Sequence, residues 1–338
     1  MREKWETQAE AFLRPPELSQ HLQSILDFTL LYFWIFFNLF ALAMLVVDLR
    51  VFHRPGHVVG FREALGWSAM YVSLAAIFAA ILYFWQGHQA GLEFVAGYVL
   101  ELSLSVDNLF VFLMIFNYFA VPEDQQHRVL FWGIIGALIL RGIFIGAGVG
   151  LIHRFHWVLY IFGALLIYSG IRVFVSGDDP IDPSSNPVVK AFRAWMPVTP
   201  DYHGGRFFLR NPQDNLRLYA TPLLVVLIVI ETTDVLFAVD SIPAVLAITL
   251  NAFIVYTSNV FAILGLRSMY FAVSGLMKIF RFLHYGLALI LILVGAKMLA
   301  ADYLRVPILA TLSVVGGILL LSIALSLAFP APDKKSSS

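Results

Sequence analysis

The chain has 338 residues, 60% of them hydrophobic and 13% charged, with no cysteine and a formal net charge of +0. Soluble domains carry about 25% charged residues, so this composition belongs to a polytopic, all-α membrane protein. The balanced charge argues against a nucleic-acid partner, and the absence of thiols excludes disulfides, Cys-zinc centres and thiol chemistry.

Residues 1–24 are polar, with Trp5, Ala9 and Phe12 near helical spacing before Pro15-Pro16, a pattern that suits an interfacial segment. They are mixed and charged, unlike the basic end and short apolar core of a secretory signal. Nine apolar stretches follow, at 25–47, 67–85, 94–119, 129–152, 157–174, 221–246, 253–272, 285–300 and 306–329. Each is long enough to cross, or nearly cross, a hydrocarbon layer that needs ~20 residues. The predicted organisation is two peripheral helices in 25–93, three helices in 94–174, a loop at 175–220, three helices in 221–300, a last helix in 301–329 and a tail at 330–338.

Lys and Arg residues are asymmetric about these spans. Arg50, Arg54, Arg62, Lys190, Arg193, Arg206, Arg210, Arg217, Lys278, Arg281, Lys334 and Lys335 all fall on one side, together with Arg128 and Arg172. The positive-inside rule makes that side cytoplasmic, with the N-terminus outside and the C-terminus inside. Within the long loop, Val188–Met196 reads as a short amphipathic helix on the membrane surface. RFFLRNPQDNLRLY reads as two arms of a β-hairpin.

The most informative stretch is Ile230–Pro243, IETTDVLFAVDSIP, which sets Glu231, Asp234 and Asp240 inside an apolar span. Each carboxylate at mid-membrane costs roughly 2.5–3.5 kcal/mol, so cations, protons or arginines must satisfy them. The third span contains a second copy. ELSLSVDNLFVF (Glu101–Phe112) aligns without a gap on DVLFAVDSIPAV (Asp234–Val245), pairing Glu101 with Asp234, Asp107 with Asp240 and Asn108 with Ser241. Further on, Arg141 corresponds to Arg267, and the region of Gly170 to that of Gly295. Spans three to five and six to eight therefore form two copies of one three-helix unit. Three is odd, so the copies insert in opposite senses and their acidic helices enter from opposite faces, as in many secondary transporters.

Glu101 and Asp107 are six residues apart, about 9 Å along a helix and about 120° around it, so a straight helix cannot bring both to one ion. Glu231 and Asp234 do share a face. These spacings place Asp107 and Asp240 at a central site, with Glu101, Glu231 and Asp234 one to two turns away. Pro243 deprives the Val239 carbonyl of its helical donor and is expected to kink the span. That carbonyl, Asn108 and Ser241 add neutral oxygens. An all-oxygen site suits Mn²⁺, Ca²⁺ or Mg²⁺, and protons compete for the same carboxylates. The alternative for each acid is an arginine partner that only holds helices together, and Glu101 fits it best. Arg141 and Arg267, always cationic, read as partners and gates. Asn259 reads as an interhelical hydrogen-bonding residue. No GxxxxGK, HExxH or intramembrane GxGD pattern occurs, so neither enzymatic activity nor a prosthetic group is expected.

ELSLSVDNLFVF, YATPLLVVLIVIETTDVLFAVDSIPA and TSNVFAILGLRSMYF resemble the TerC family of integral membrane proteins, most closely its Alx-like branch, from about Asp48 to about Leu321. The resemblance implies a bacterial plasma-membrane protein, grouped with the LysE-type transporters and associated with manganese export. It carries the acidic site onto Glu101, Asp107 and Asn108 in one half and Glu231, Asp234, Asp240 and Ser241 in the other. A non-transporting role, sensing or delivering metal under envelope or tellurite stress, stays open as the alternative. Direct handling of the tellurite anion does not suit a site this acidic.

Overall fold

The computed structural model describes residues 31–47, 60–176, 186–210, 218–274, 282–303 and 306–328, apart from the side chains of Asp107, Phe110, Ser176 and residues 273–274. The expected N-terminal interfacial segment at 1–24, the arginines at 50 and 54, Arg217, and the basic positions 278, 281, 334 and 335 lie outside the described residues. The chain divides into two compact units, Met1–Arg50 and Val51–Ser338. In the first, α1 spans 31–47 and is apolar but for Asn38, with Phe37 and Phe40 in ring contact.

The second unit is almost entirely helical. It comprises α2 (Phe61–Trp85), α3 (His88–Tyr118), α4 (Glu123–Arg154), α5 (Val158–Ser176), α6 (Pro187–Trp195), α7 (Pro222–Leu246), α8 (Ala252–Ser274), α9 (Leu283–Leu299) and α10 (Ile308–Ala328). Seven of the described helices are long and apolar enough to cross a membrane, and α1 and α9 are shorter apolar helices. The molecule is thus an all-α polytopic membrane protein, with α6 and one small strand pair inserted between α5 and α7.

Helix ends differ from the apolar stretches where polar residues continue the helix. α4 starts at Glu123 and ends at Arg154, with Glu123 and Asp124 in its first turn and His153 and Arg154 in its last. Acid at the N-terminus and base at the C-terminus complement the helix dipole, so backbone hydrogen bonding carries on beyond the hydrocarbon limits that hydropathy marks. α7 runs unbroken through Pro243 to Leu246, and the amide of Ala247 donates to the Pro243 carbonyl. Pro243, the expected kink position, lies in the last turn of α7 and leads into the helix end.

Close approaches fix the relative directions of the two repeats. A Cβ on Gly295 of α9 would lie 2.7 Å from the Gly163 carbonyl oxygen of α5, and one on Gly170 would lie 2.7 Å from the Ala288 carbonyl oxygen. Seven residues forward on α5 is therefore seven residues back on α9, so these third helices of the repeats cross antiparallel. Between α4 and α7, Gly133 lies against Ile230 and Gly148 against Leu246, so that pair runs parallel. Since α3 turns back into α4 through 119–122, α3 and α7 run in opposite directions. The repeats are inverted, as three-span copies must be. Each first helix packs chiefly on the second helix of the other repeat, α3 on α8 and α7 on α4. Gly97 against Ser258 and Ile230 against Gly133 are equivalent contacts of that exchange. α8, most deeply enclosed, has 83% of its span covered by protein, whereas α10 has 17% and faces outward.

The α5–α9 crossing makes a direct prediction. Gly295→Ala sets a methyl against a backbone oxygen that no side-chain rotation can move, and overpacking of this kind costs about 1–3 kcal/mol. The detergent-solubilised variant should melt below the wild type. Gly316→Ala on α10, where nothing lies within 4 Å, should melt with it. Equal melting of all three proteins would show that the crossing tolerates separation.

Outside the spans, Asn186 caps α6, accepting from the amides of Val188 and Val189, and Pro187 occupies the first helical position. β1 (Phe208–Arg210) and β2 (Leu218–Ala220) pair antiparallel, with Leu209 opposite Tyr219. Both loop elements predicted from sequence are present.

Candidate ion site in the inverted repeats

The centre of the bundle is a buried ionic cluster. Arg141, 2% exposed on α4, extends Nη2 to Asp234 Oδ1 at 3.0 Å and Nε to Oδ2 at 3.4 Å, a two-pronged contact with the other repeat. Its Nη1 pairs with Glu101 of α3. One guanidinium therefore joins Glu101 and Asp234, the two acids that correspond across the repeats. A planar five-donor fork is suited to this double role. Both acids thus make the arginine contact that was weighed as the alternative for Glu101.

Glu231 takes a different course from the same face of α7. Its carboxylate lies over Gly136 of α4, where an added Cβ would fall 2.0 Å from Oε1. A larger residue at 136 would have to displace the Glu231 carboxylate from this position. Glu231 Oε2 is buried and makes no hydrogen bond with the described residues. Arg267, 1% exposed on α8, lines a cavity of about 10 Å³ together with Asp234, Phe112 and Gly133, space for about one water.

Asp240 lies six residues further along α7, half-buried, and accepts a 2.6 Å hydrogen bond from the Ser169 hydroxyl of α5 onto Oδ1. Arg172, one turn on from Ser169, is close enough to act on Asp240 electrostatically. Oδ2 remains available to another partner. Ser241 and Asn108 are both buried, at 2% and 5%. The Ser241 hydroxyl has no hydrogen-bond partner among the described residues. Val239, whose carbonyl lacks the amide that Pro243 cannot supply, is 39% exposed.

The structure thus separates the predicted residues into two levels. Glu101, Asp234 and Arg141 form one ionic unit, with Glu231 and Arg267 beside it. Asp240, with Ser241 and Val239, stands about 9 Å along the helix from Asp234, by the rise of six residues. The Asp107 side chain lies outside the described residues, so its expected meeting with Asp240 does too. Among the described residues no three histidines or carboxylates converge into a metal cage. Asn259 is 2% exposed and both atoms of its amide lack hydrogen-bond partners there, so the expected interhelical bond is not found. Three participants carried no sequence signal: Ser169, Gly136 and Asn186. The last donates to Thr232 Oγ1 at 2.9 Å, next to Glu231. Isolated Ser, Gly and Asn residues are too common to stand out until a partner from another helix is known.

Comparison with known proteins agrees with this architecture. Residues 86–336 match the family described as Integral membrane protein TerC family. The chain belongs to that family. It is 48% identical over 294 residues to the Uncharacterized membrane protein STKORF319 of Myxococcus xanthus, covering 87% of this chain and 91% of that one. It is 43% identical over 298 residues to the Escherichia coli K12 protein named "Putative membrane-bound redox modulator Alx", covering 86% and 92%. A Rickettsia bellii membrane protein is 40% identical over 290 residues, covering 86% and 95%. No solved structure matches. The TerC match takes in both repeats and every acidic residue of the site.

Proposed function

We propose that this TerC protein is a secondary transporter that exports Mn²⁺, or another hard divalent cation such as Ca²⁺, in exchange for protons. It works in the bacterial plasma membrane with its N-terminus outside and its C-terminus in the cytoplasm. The observation that carries this reading is the crossing of two oppositely directed, acid-bearing helices, one presenting a half-buried carboxylate braced by a serine hydroxyl. Asp240 is the principal ligand. Asp107, its repeat-mate, together with Asn108, Ser241 and the Val239 carbonyl, completes an oxygen set of the kind hard cations prefer.

Charge balance supplies the coupling. With Glu101, Asp107, Glu231, Asp234 and Asp240 ionised against Arg141 and Arg267, the span interior carries a formal excess of three negative charges. One divalent ion and one proton neutralise it, as do three protons. Occupancy by metal and by protons is therefore mutually exclusive at the shared carboxylates, which is the requirement for antiport. The inverted repeats provide two equivalent packings that expose the site to either side. The Alx relatives are named redox modulators. This chain has no thiol to exchange, so a redox consequence would follow from the metal it moves.

Proteoliposomes loaded with a manganese indicator test the reading: wild-type protein should move Mn²⁺ when a pH gradient is imposed. No movement of Mn²⁺ down or against that gradient would end it. Within the same assay Ser169 is a positioning residue. Groups that orient a ligand are worth ~10–100-fold in metal affinity, so Ser169→Ala should raise the half-saturating Mn²⁺ concentration by that factor with little change in maximal rate. Ser169→Thr should restore it. A fall in maximal rate alone would instead mark Ser169 as part of helix packing.

A further inference from the structure

α6 lies along the first three turns of α7, running the opposite way, with Asn186 beside Thr232 at one end and Val198 bridged to Ala220 at the other. Its inner face, Val189 and Phe192, packs into the core formed by Leu223, Val226 and Val229. Its outer face leaves Val188 47% and Trp195 82% exposed, flanked by Lys190 and Arg193, both exposed. Trp195 thus stands at the end of α6 nearest the start of α7, the depth that interfacial aromatics favour.

Where α6 ends, a cleft of about 640 Å³ opens, lined by Tyr118, Phe119, Arg193, Thr199, Tyr202 and Pro222 among others. Tyr118 is the last residue of α3 and Pro222 the first of α7, so the cleft sits at the level where spanning helices leave the hydrocarbon. Among the described residues, Arg193 is the one charged side chain lining it. The Tyr202 hydroxyl is already committed to the Phe119 carbonyl at 2.8 Å, and Thr199 Oγ1 to the carbonyls of Asp201 and Ala220. Arg193 and the Tyr118 hydroxyl therefore remain as donors. Around it, exposed Lys190, Arg206 and Arg210 outweigh exposed Asp201 within the described part of the loop, while Glu123 and Asp124 belong to the neighbouring first turn of α4.

We propose that this cleft binds the phosphate headgroup of an anionic glycerophospholipid, with Arg193 on the phosphate and Trp195 seated beside it among the headgroups. A cationic, carboxylate-free lining selects an anion, and its position at the helix ends selects one that is itself part of the bilayer. Aromatic residues favour that depth. The site is separate from the carboxylates within the spans and does not depend on what they transport.

The test uses the full chain in phosphatidylcholine nanodiscs doped with brominated phosphatidylglycerol or brominated phosphatidylcholine. Trp195 fluorescence is isolated as the difference between wild type and Trp195→Phe. One basic residue at an anionic surface corresponds to an enrichment of about fivefold, so the brominated anionic lipid should quench that difference about fivefold more effectively than the zwitterionic one. Arg193→Gln should abolish the preference and Arg193→Lys should keep most of it. Equal quenching by the two lipids, or a preference that survives in Arg193→Gln, overturns the proposal. Loss of the preference on adding soluble glycerol phosphate overturns it in favour of a free phosphate compound.

Discussion

Asp240→Asn is expected to abolish Mn²⁺ transport, with a loss of at least ~100-fold in flux, the upper end of what an orienting neighbour of a metal ligand is worth. The substitution keeps the shape of the side chain and its capacity to accept from Ser169 at 2.6 Å. It removes the charge that both Mn²⁺ and the exchanged proton need. Asn cannot be titrated, so the same variant should also lose the response of flux to an imposed pH gradient. Asp240 is half-buried and, among the described residues, pairs with no arginine within 4 Å, so the variant should melt close to the wild type. Asp107→Asn, the same change on the repeat-mate, should behave alike. Wild-type flux from Asp240→Asn would remove Asp240 from the site, and with it the antiport reading.

Arg141→Met is expected to have the opposite profile, a large loss of stability. Removing one partner of a buried ion pair costs roughly 3–5 kcal/mol, because the remaining charge stays uncompensated. Here two carboxylates, Glu101 at 0% exposure and Asp234 at 4%, depend on the same guanidinium. The variant should therefore melt well below the wild type in detergent. Buried ion pairs can be replaced by neutral groups of similar volume without such a cost, so Glu101→Gln, Arg141→Met and Asp234→Asn combined should recover most of the melting temperature. Transport should not recover with it, since the span interior then lacks two of the five carboxylates on which the proposed charge balance rests. Arg141→Met melting with the wild type would show that the cluster is not what holds α3, α4 and α7 together. A triple variant as unstable as the single one would show that its worth lies in shape rather than charge.

Much of this molecule was legible from residues alone. The apolar spans, the inverted three-helix copies, the acidic motifs at Glu101–Asn108 and Glu231–Ser241, the short helix α6 and the pairing of 208–210 with 218–220 all follow from patterns carried by one segment at a time. The limits of that reading are equally local. Hydropathy marked α4 from residue 129, but the helix begins at Glu123, because charged residues at its ends suit the helix dipole and need no hydrocarbon.

What the sequence determined by itself is therefore the solvent the chain must live in, the order of its apolar helices and the set of carboxylates that have to be satisfied there. Which group satisfies which was decided by tertiary structure. Arg141 reaches across 93 positions to Asp234, and Ser169 across 71 to Asp240. Gly136 matters only because Glu231 from another helix rests on it. Periodicity and spacing describe a single helix, whereas a partner depends on the register and direction in which two helices cross. Close glycine contacts such as Gly163 on Gly295 set that register, and no single segment contains the information.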